Sequence, residues 1–440
     1  MSHIFPRHTK SQPPTAVRGD GVYLIDSEGK NYLDASGGAA VSCLGHSDQD
    51  VIEAIKKQAE TLAFAHTGFF TSEPAERLAN RLISNAPEGI ERVYLVSGGS
   101  EAVESALKLA RQFMLETDQP KRNKFIARRQ SYHGNTLGAL ATGGNMWRRE
   151  PFAPVMVEGH HISPCYEYRN RAEGESLEDY GLRAANELET KLLEVGPETV
   201  IAFIAEPVVG ATAGAVPAAP GYFKRIREIC DQYGILLILD EVMCGMGRTG
   251  SLFACEQDGI APDIVCIAKG LGAGYQPIGA MLCSGRIYEA IEQGSGFFQH
   301  GHTYLGHPIA AAAADVVVQK LTEGGLVKRS AEMGEKLDQA LHAEFGQHPH
   351  IGDIRGRGMF RGLELVKDRA SKTPFDPAMG IAGKLKKVAQ ANGLICYPGS
   401  GTIDGKQGDH VLLAPPFIIS DSQIDELVGK LSLSLKDVLG

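Results

Sequence analysis

The chain has 440 residues, 43% hydrophobic and 22% charged, enough for a large core and two domains. Its formal net charge is −9, and the lysines and arginines are scattered rather than clustered, which excludes a nucleic-acid footprint. No apolar run reaches the roughly 18 residues of a membrane-spanning helix, so no membrane partner is expected.

The first residues, MSHIFPRHTKSQPPTA, carry no apolar stretch of a secretory signal. The eight cysteines, from Cys43 to Cys396, form no CxxC pair. Both features predict a cytoplasmic protein with reduced, buried thiols. Residues 19–35, GDGVYLIDSEGKNYLDA, predict a hairpin around the turn DSEGK. Apolar runs then alternate with helical patterns: VYLV (93–96), EAVESALKLARQFM, VIAFIAE (200–206), GYFKRIREICDQYG, ILLILDE (235–241) and DIVCIA (263–268). The runs are nearly continuous, as in strands covered on both faces, so a mostly parallel α/β sheet is expected over about residues 50–320. Farther on, IRGRGMFRGLELV (354–366) predicts paired strands, HVLLAPPFII (410–419) another strand, and Asp421 to Val438 an amphipathic helix. The expected organisation is a large domain over 61–325 and a small α+β domain assembled from 1–60 and 326–440.

Chemistry concentrates at the ends of those runs. In VSGGSEAVESALKLAR (96–111) two glycines follow Val96 and Ser100 opens a helical pattern. Glycines let backbone N–H groups approach a ligand, and a helix N-terminus binds phosphate; a serine there can equally be a plain N-cap. In ARRQSYHGNTLGAL, Tyr132 and His133 stand beside a glycine, as stacking surface or as core. LLILDEV places Asp240 and Glu241 at a strand end, where open α/β sheets bind ligands. A buried carboxylate there needs a positive partner, or it simply caps the next turn. GMGRTG (245–250) fits GxGxxG but opens no amphipathic helix, so a nicotinamide dehydrogenase is only a remote alternative. Lys269 ends the next apolar run and is followed by glycines. Either it snorkels to the surface, or desolvation lowers its pKa and makes it a nucleophile. Two HxH pairs, His300/His302 and His348/His350, lack HExxH and acidic company, so packing or surface histidines are expected and no metal.

A phosphate seat, a stacking aromatic, a strand-end aspartate and a strand-end lysine together match what pyridoxal 5′-phosphate needs. It requires an amine for its Schiff base, an acid for its ring nitrogen and an anchor for its phosphate.

From YLDASGGAAVSCLGH through SGGSEA, SYHG, AEPV, LDEV, AKGLGAGYQPIGA and HGHTYLGHP to LAPPFII, nearly the whole chain resembles the class III pyridoxal-phosphate aminotransferases of fold type I. The resemblance implies a mostly parallel seven-stranded sheet between helices. It implies that Gly99 and Ser100 hold the phosphate, that Tyr132 stacks on one ring face and that Val242 packs on the other. It further implies that Asp240 pairs with the ring nitrogen, Lys269 forms the Schiff base and Glu206 lies near the cofactor. Thr303 in GHTY resembles a residue that reaches the neighbouring subunit's phosphate, which implies a homodimer with shared sites, or a tetramer of such dimers.

The implied reaction is a ping-pong transfer from an ω-amino acid or primary amine to an oxo acid. Many relatives carry an arginine shortly before the PP pair, but GSGTIDGKQGDHVLLAPPF holds only Lys406, which favours pyruvate over 2-oxoglutarate. Ala39 and Ala40 stand where many relatives place large aromatics, implying a roomy pocket beside Phe69, Phe70 and GSGFFQHGH. Aminomutases, racemases and decarboxylases on the same fold are the alternative reading.

Overall fold

The structure, a computed structural model, describes residues 3–440. Its central sheet contains β1 (Ile90–Val96), β2 (Lys124–Arg128), β3 (His160–Ile162), β4 (Val200–Ala205), β5 (Leu236–Asp240), β6 (Ile264–Ile267) and β7 (Gly279–Ser284). Their spatial order is β1-β7-β6-β5-β4-β2-β3. Strand β7 runs antiparallel to β6 and β1, and the remaining pairings are parallel.

Strands β4, β5 and β6 are buried along their whole length, which is why their sequences show no polar alternation. Successive side chains still point to opposite faces. Leu237, Leu239 and Val265 enter one core, while Leu236, Ile238 and Ile264 enter the other. The helix Gly99–Glu116 covers the second face, with the small Ala102, Ala106 and Ala110 letting it sit close to the sheet.

The two ends of the chain share a smaller sheet. Tyr23–Asp26 and Asn31–Asp34 form the expected hairpin, and Leu394–Ile395 adds in parallel, Leu394 opposite Leu33. Ala16–Asp20 extends this sheet, a strand that sequence periodicity does not reveal. Another sheet pairs Ile351–Arg357, Phe360–Leu365, Asp409–Leu413 and Tyr397–Ser400, all antiparallel. The expected strand over 410–419 stops at Leu413, because Pro415 and Pro416 have no N–H to give a ladder. The last helix, Asp421–Leu439, opens with a reciprocal Ser420–Gln423 capping box and buries Ile424, Leu427, Leu431 and Leu435. Among the described residues, no helix is long and apolar enough to cross a membrane. All eight cysteines are free and buried.

Candidate active site

The C-terminal ends of β1, β2, β4, β5 and β6 converge on a cavity of about 510 Å³. That is the edge at which open parallel sheets bind ligands. Its wall holds Gly99, Ser100, Tyr132, Glu206, Asp240, Val242 and Lys269. Thr303 is outside this wall, exposed on the loop that precedes Pro308.

Lys269 opens a single 3₁₀ turn at the exit of β6, with φ of 46°. A side chain in the left-handed region costs about 1–3 kcal/mol and persists only where its surroundings hold it. The glycines that follow serve the turn. A Cβ on Gly272 would lie 2.4 Å from the Gln276 carbonyl oxygen, and Gly274 has φ of 86°. Among the described residues, none hydrogen-bonds or ion-pairs with the Lys269 amine. Burial lowers its pKa, against the opposing pull of the Asp240 and Glu206 charges.

Asp240 ends β5. Its Oδ2 lies 2.8 Å from His133 Nδ1, and its Oδ1 accepts from the Val242 N–H at 3.0 Å. The carboxylate therefore both caps the following turn and holds a histidine. The His133 side chain is fully buried, and among the described residues its Nε2 has no partner. Facing an acceptor, Nδ1 carries the proton, which leaves the second nitrogen to complete a larger arrangement. Glu206 anchors the same region: it accepts from the Tyr132 N–H at 3.1 Å and the Gly210 N–H at 3.0 Å. Burial raises its pKa, His133 opposes that, and Asp240 adds to it. Glu241 points away from the cavity, accepting from the Ala254 and Cys255 N–H groups at 2.6 and 2.9 Å. Burial pushes its carboxyl up to about 7.

Ser100 is not the N-cap that one sequence reading allowed. Gly98 caps the helix in an extended conformation, and Ser100 lies in the first turn with Oγ accepting from the Asn135 N–H at 3.1 Å. Gly99 must be glycine, since a Cβ there would sit 2.6 Å from Val242 Cγ1. The unpaired N–H groups of this turn give the cavity an end suited to an anion.

Tyr132 is half-buried, with the Arg148 guanidinium 4.6 Å from its ring centroid. Burial raises its pKa, and the charges of Arg148 and Arg7 oppose the rise. The wall beside the mouth is built by Val41 rather than by Ala39 or Ala40; Ala40 is buried in a separate cluster with Phe360 and Met243. Phe69 and Phe70 are 82% and 68% exposed and take no part in the wall. Gly37, Gly38 and Ala40 all take positive φ, so the loop turns earlier than a residue count indicates. His300 and His302 tie their loop to the helix Gly99–Glu116 and its approach. His300 Nε2 meets Ser105 Oγ at 3.0 Å, and His302 Nε2 meets Ser97 Oγ at 2.8 Å. GMGRTG forms a buried turn, not the start of a helix.

The sequence shows one of these residues without its partner and hides another. His133 stood beside Tyr132 in SYHG, but its partner Asp240 is 107 positions away. Arg148 lies in an unremarkable MWRRE turn, and only the fold brings it onto Tyr132.

The family model for aminotransferase class-III matches residues 4–435. The chain belongs to the class III aminotransferases. An uncharacterized aminotransferase of Schizosaccharomyces pombe is 48% identical over 99% of this chain and 95% of its own. The putrescine–pyruvate aminotransferase of Pseudomonas aeruginosa is 37% identical over 94% of this chain and 88% of its own. The omega transaminase of Pseudomonas jessenii, solved in complex with PMP, superposes with a TM-score of 0.93 at 34% identity, covering 100% of this chain and 96% of that one. The seven-stranded α/β architecture is that of fold type I transaminases, and the class III aminotransferases depend on pyridoxal phosphate. The chain is accordingly a transaminase.

Proposed function

We propose that the cavity binds pyridoxal 5′-phosphate and that the enzyme moves an amino group from an ω-amino acid or primary amine to pyruvate by a ping-pong cycle. The carrying observation is the Lys269 amine, desolvated and without a partner among the described residues, one strand away from an Asp240 already held by His133. The donor set fits the group. The first-turn N–H groups at Gly99 and Ser100 suit its phosphate, and the faces of Tyr132 and Val242 suit a flat ring. Asp240 suits a protonated ring nitrogen, and Lys269 suits an aldehyde. Thr303 of the partner subunit would complete the phosphate seat in a homodimer. The exposure of Thr303, Phe297 and Tyr304 on one loop supports that assembly. Residues 61–325 would then form the cofactor domain, and 1–60 with 326–440 the smaller one.

When bound, the group supplies an aldehyde carbon and an electron-withdrawing ring. The chain supplies the rest. Lys269, with its pKa lowered by burial, takes a proton from the substrate carbon and returns one as general base and acid. Asp240, oriented by His133 and the Val242 N–H, keeps a facing N–H positively charged. Glu206 fixes the Tyr132 backbone, and so the position of that ring. Pyruvate as acceptor is in line with the similarity to the putrescine–pyruvate aminotransferase of Pseudomonas aeruginosa.

Protein reconstituted with pyridoxal phosphate should be yellow, and Lys269→Ala should lose that absorption. An amine alone should give stoichiometric pyridoxamine phosphate, which pyruvate should reverse. A colourless wild-type protein would overturn the cofactor reading. A clear preference for glutamate and 2-oxoglutarate would overturn the choice of pyruvate.

A further inference from the structure

An oxo acid brings a carboxylate into the cavity beside the carbon that receives the amino group. Taking that charge out of water costs several kcal/mol unless a cation meets it. The wall offers two acids, Glu206 and Asp240, and one cation, Lys269, which the chemistry itself engages. The cavity therefore needs a second positive group near its mouth.

Most arginines nearby are committed. Arg149 donates to the Gly143 carbonyl at 2.5 Å, Arg129 to Ser163 Oγ at 2.7 Å, and the buried Arg248 to the Pro415 carbonyl at 2.6 Å. Arg128 donates to the Glu206 carbonyl. Lys406, the one cation in the loop Gly401–Gly408, is exposed.

Arg148 differs from all of these. Its guanidinium lies over two aromatic rings, 4.6 Å from the Tyr132 centroid and 5.8 Å from that of Trp147. Among the described residues, no carboxylate or carbonyl accepts from it. Stacked on ring faces, a guanidinium keeps its in-plane N–H fork free for a carboxylate.

Its backbone, by contrast, is tied down. Asn145 Oδ1 accepts from the Arg148 N–H at 3.2 Å, and Asn145 Nδ2 donates to Gln130 Oε1 at 3.1 Å. Gln130 Nε2 in turn donates to the Gly401 carbonyl at 2.6 Å, with Gln130 held at φ of 63°. This chain of bonds joins the Arg148 turn to the strand end that carries Tyr132 and to the Gly401 loop. A fixed base with an uncommitted head is the arrangement of a ligand-binding cation.

We propose that Arg148 binds the substrate carboxylate and so sets the preference of this transaminase for oxo acids and amino acids over their uncharged counterparts. Arg148 lines a small recess of about 10 Å³ that shares Tyr132, His133 and Gly134 with the cavity wall, and from there its positive charge acts on both Tyr132 and Lys269. The proposal rests on the aminotransferase reading above for its substrates, but the carboxylate site can be measured without turnover.

Two measurements on the reconstituted holoenzyme test it, each with wild type, Arg148→Ala and Arg148→Gln. Calorimetric titration with propionate, a carboxylate that cannot react, should show binding weakened about 10- to 100-fold in both variants. Half-reaction kinetics with pyruvate and with acetaldehyde should show a similar rise in half-saturation for pyruvate and a far smaller one for acetaldehyde. Arg148→Lys should recover part of the loss. An equal loss for both acceptors would show that Arg148 only supports Tyr132, and would overturn the proposal. No loss for either would place the carboxylate elsewhere and overturn it as well. Should wild-type protein transfer no amino group while propionate still binds through Arg148, the proposed function falls and the carboxylate site stands.

Discussion

Two buried ionic clusters in this molecule meet the cost of burying charge in opposite ways. One is the cavity floor, where Asp240, Glu206, His133 and Lys269 face one another. The other joins the strand Phe360–Leu365 to the segment after β3. There the carboxylate of Glu364 is fully buried, 2.7 Å from Arg355 Nη1 and 2.7 Å from Arg169 Nη2, with the Tyr166 hydroxyl donating to it. Arg355 also donates to the Gly214 carbonyl at 2.8 Å and pairs with Asp353 at 3.0 Å. Burial alone would raise the Glu364 pKa, but Arg355 and Arg169 outweigh it and hold it below the usual carboxylate value. In the second cluster nearly every charge is met within the chain. On the cavity floor the Lys269 amine and His133 Nε2 are not met by any described residue. A closed cluster joins elements, whereas an open one is completed by something that binds.

If that distinction is right, substitutions in the two clusters separate stability from activity. Glu364→Ala leaves Arg169 buried beside no carboxylate and Arg355 with Asp353 alone, and should cost about 3–5 kcal/mol of unfolding free energy in denaturant titration. Activity per folded molecule should change little. A cost below about 1 kcal/mol would mean that water satisfies those guanidiniums and that the cluster is not what joins the sheet to the segment. Asp240→Asn is the reverse case. It keeps the shape and removes the charge that faces the reacting group, so the transfer rate should fall about 10²- to 10³-fold, or about 2.7–4 kcal/mol. Its unfolding free energy should move much less than its rate. A variant that loses stability but keeps its rate would place Asp240 with Glu364, as a structural charge.

The sequence made the open cluster more legible than the closed one. Continuous apolar runs marked β5 and β6, and polar residues at their ends stood out because the runs had no other polar positions. Asp240 and Lys269 were therefore visible, and the family motifs gathered the remaining positions around them. Partners distant in sequence were not visible. Glu364 sits in a strand whose sequence, FRGLEL, reads like any half-buried edge, and its ligand Arg169 is 195 positions away. His133 was seen but had no assigned partner for the same reason. Loop geometry was also hidden: with positive φ at Gly37, Gly38 and Ala40, the chain brings Val41 to the cavity wall. The helix cap stayed open in the sequence because glycine and serine both suit that position, and only the backbone angles decide between Gly98 and Ser100.

The smallest effect concerns His410, which lies within electrostatic reach of Arg355 and Glu364 and has no acid of its own. Its Nδ1 meets Thr402 Oγ1 at 2.7 Å, and its Nε2 has no partner among the described residues. Burial lowers its pKa from 6.5 to about 3, with Arg355 adding to the drop and Glu364 opposing it. The folded state thus refuses a proton that the unfolded chain accepts. Stability is complete above pH 6.5 and is lost progressively as the pH falls toward 3. At about pH 5 the unfolded chain gains some 1.5 pH units of advantage, or about 2 kcal/mol. His410→Asn should remove about that much of the difference in unfolding free energy between pH 7 and about pH 5. The slope should flatten without vanishing, since burial also lowers His161, to about 4. An unchanged slope would mean that His410 is protonated in the folded protein, with Glu364 supplying the compensating charge. The closed cluster would then have one more member, and its carboxylate would be shared among three cations rather than two.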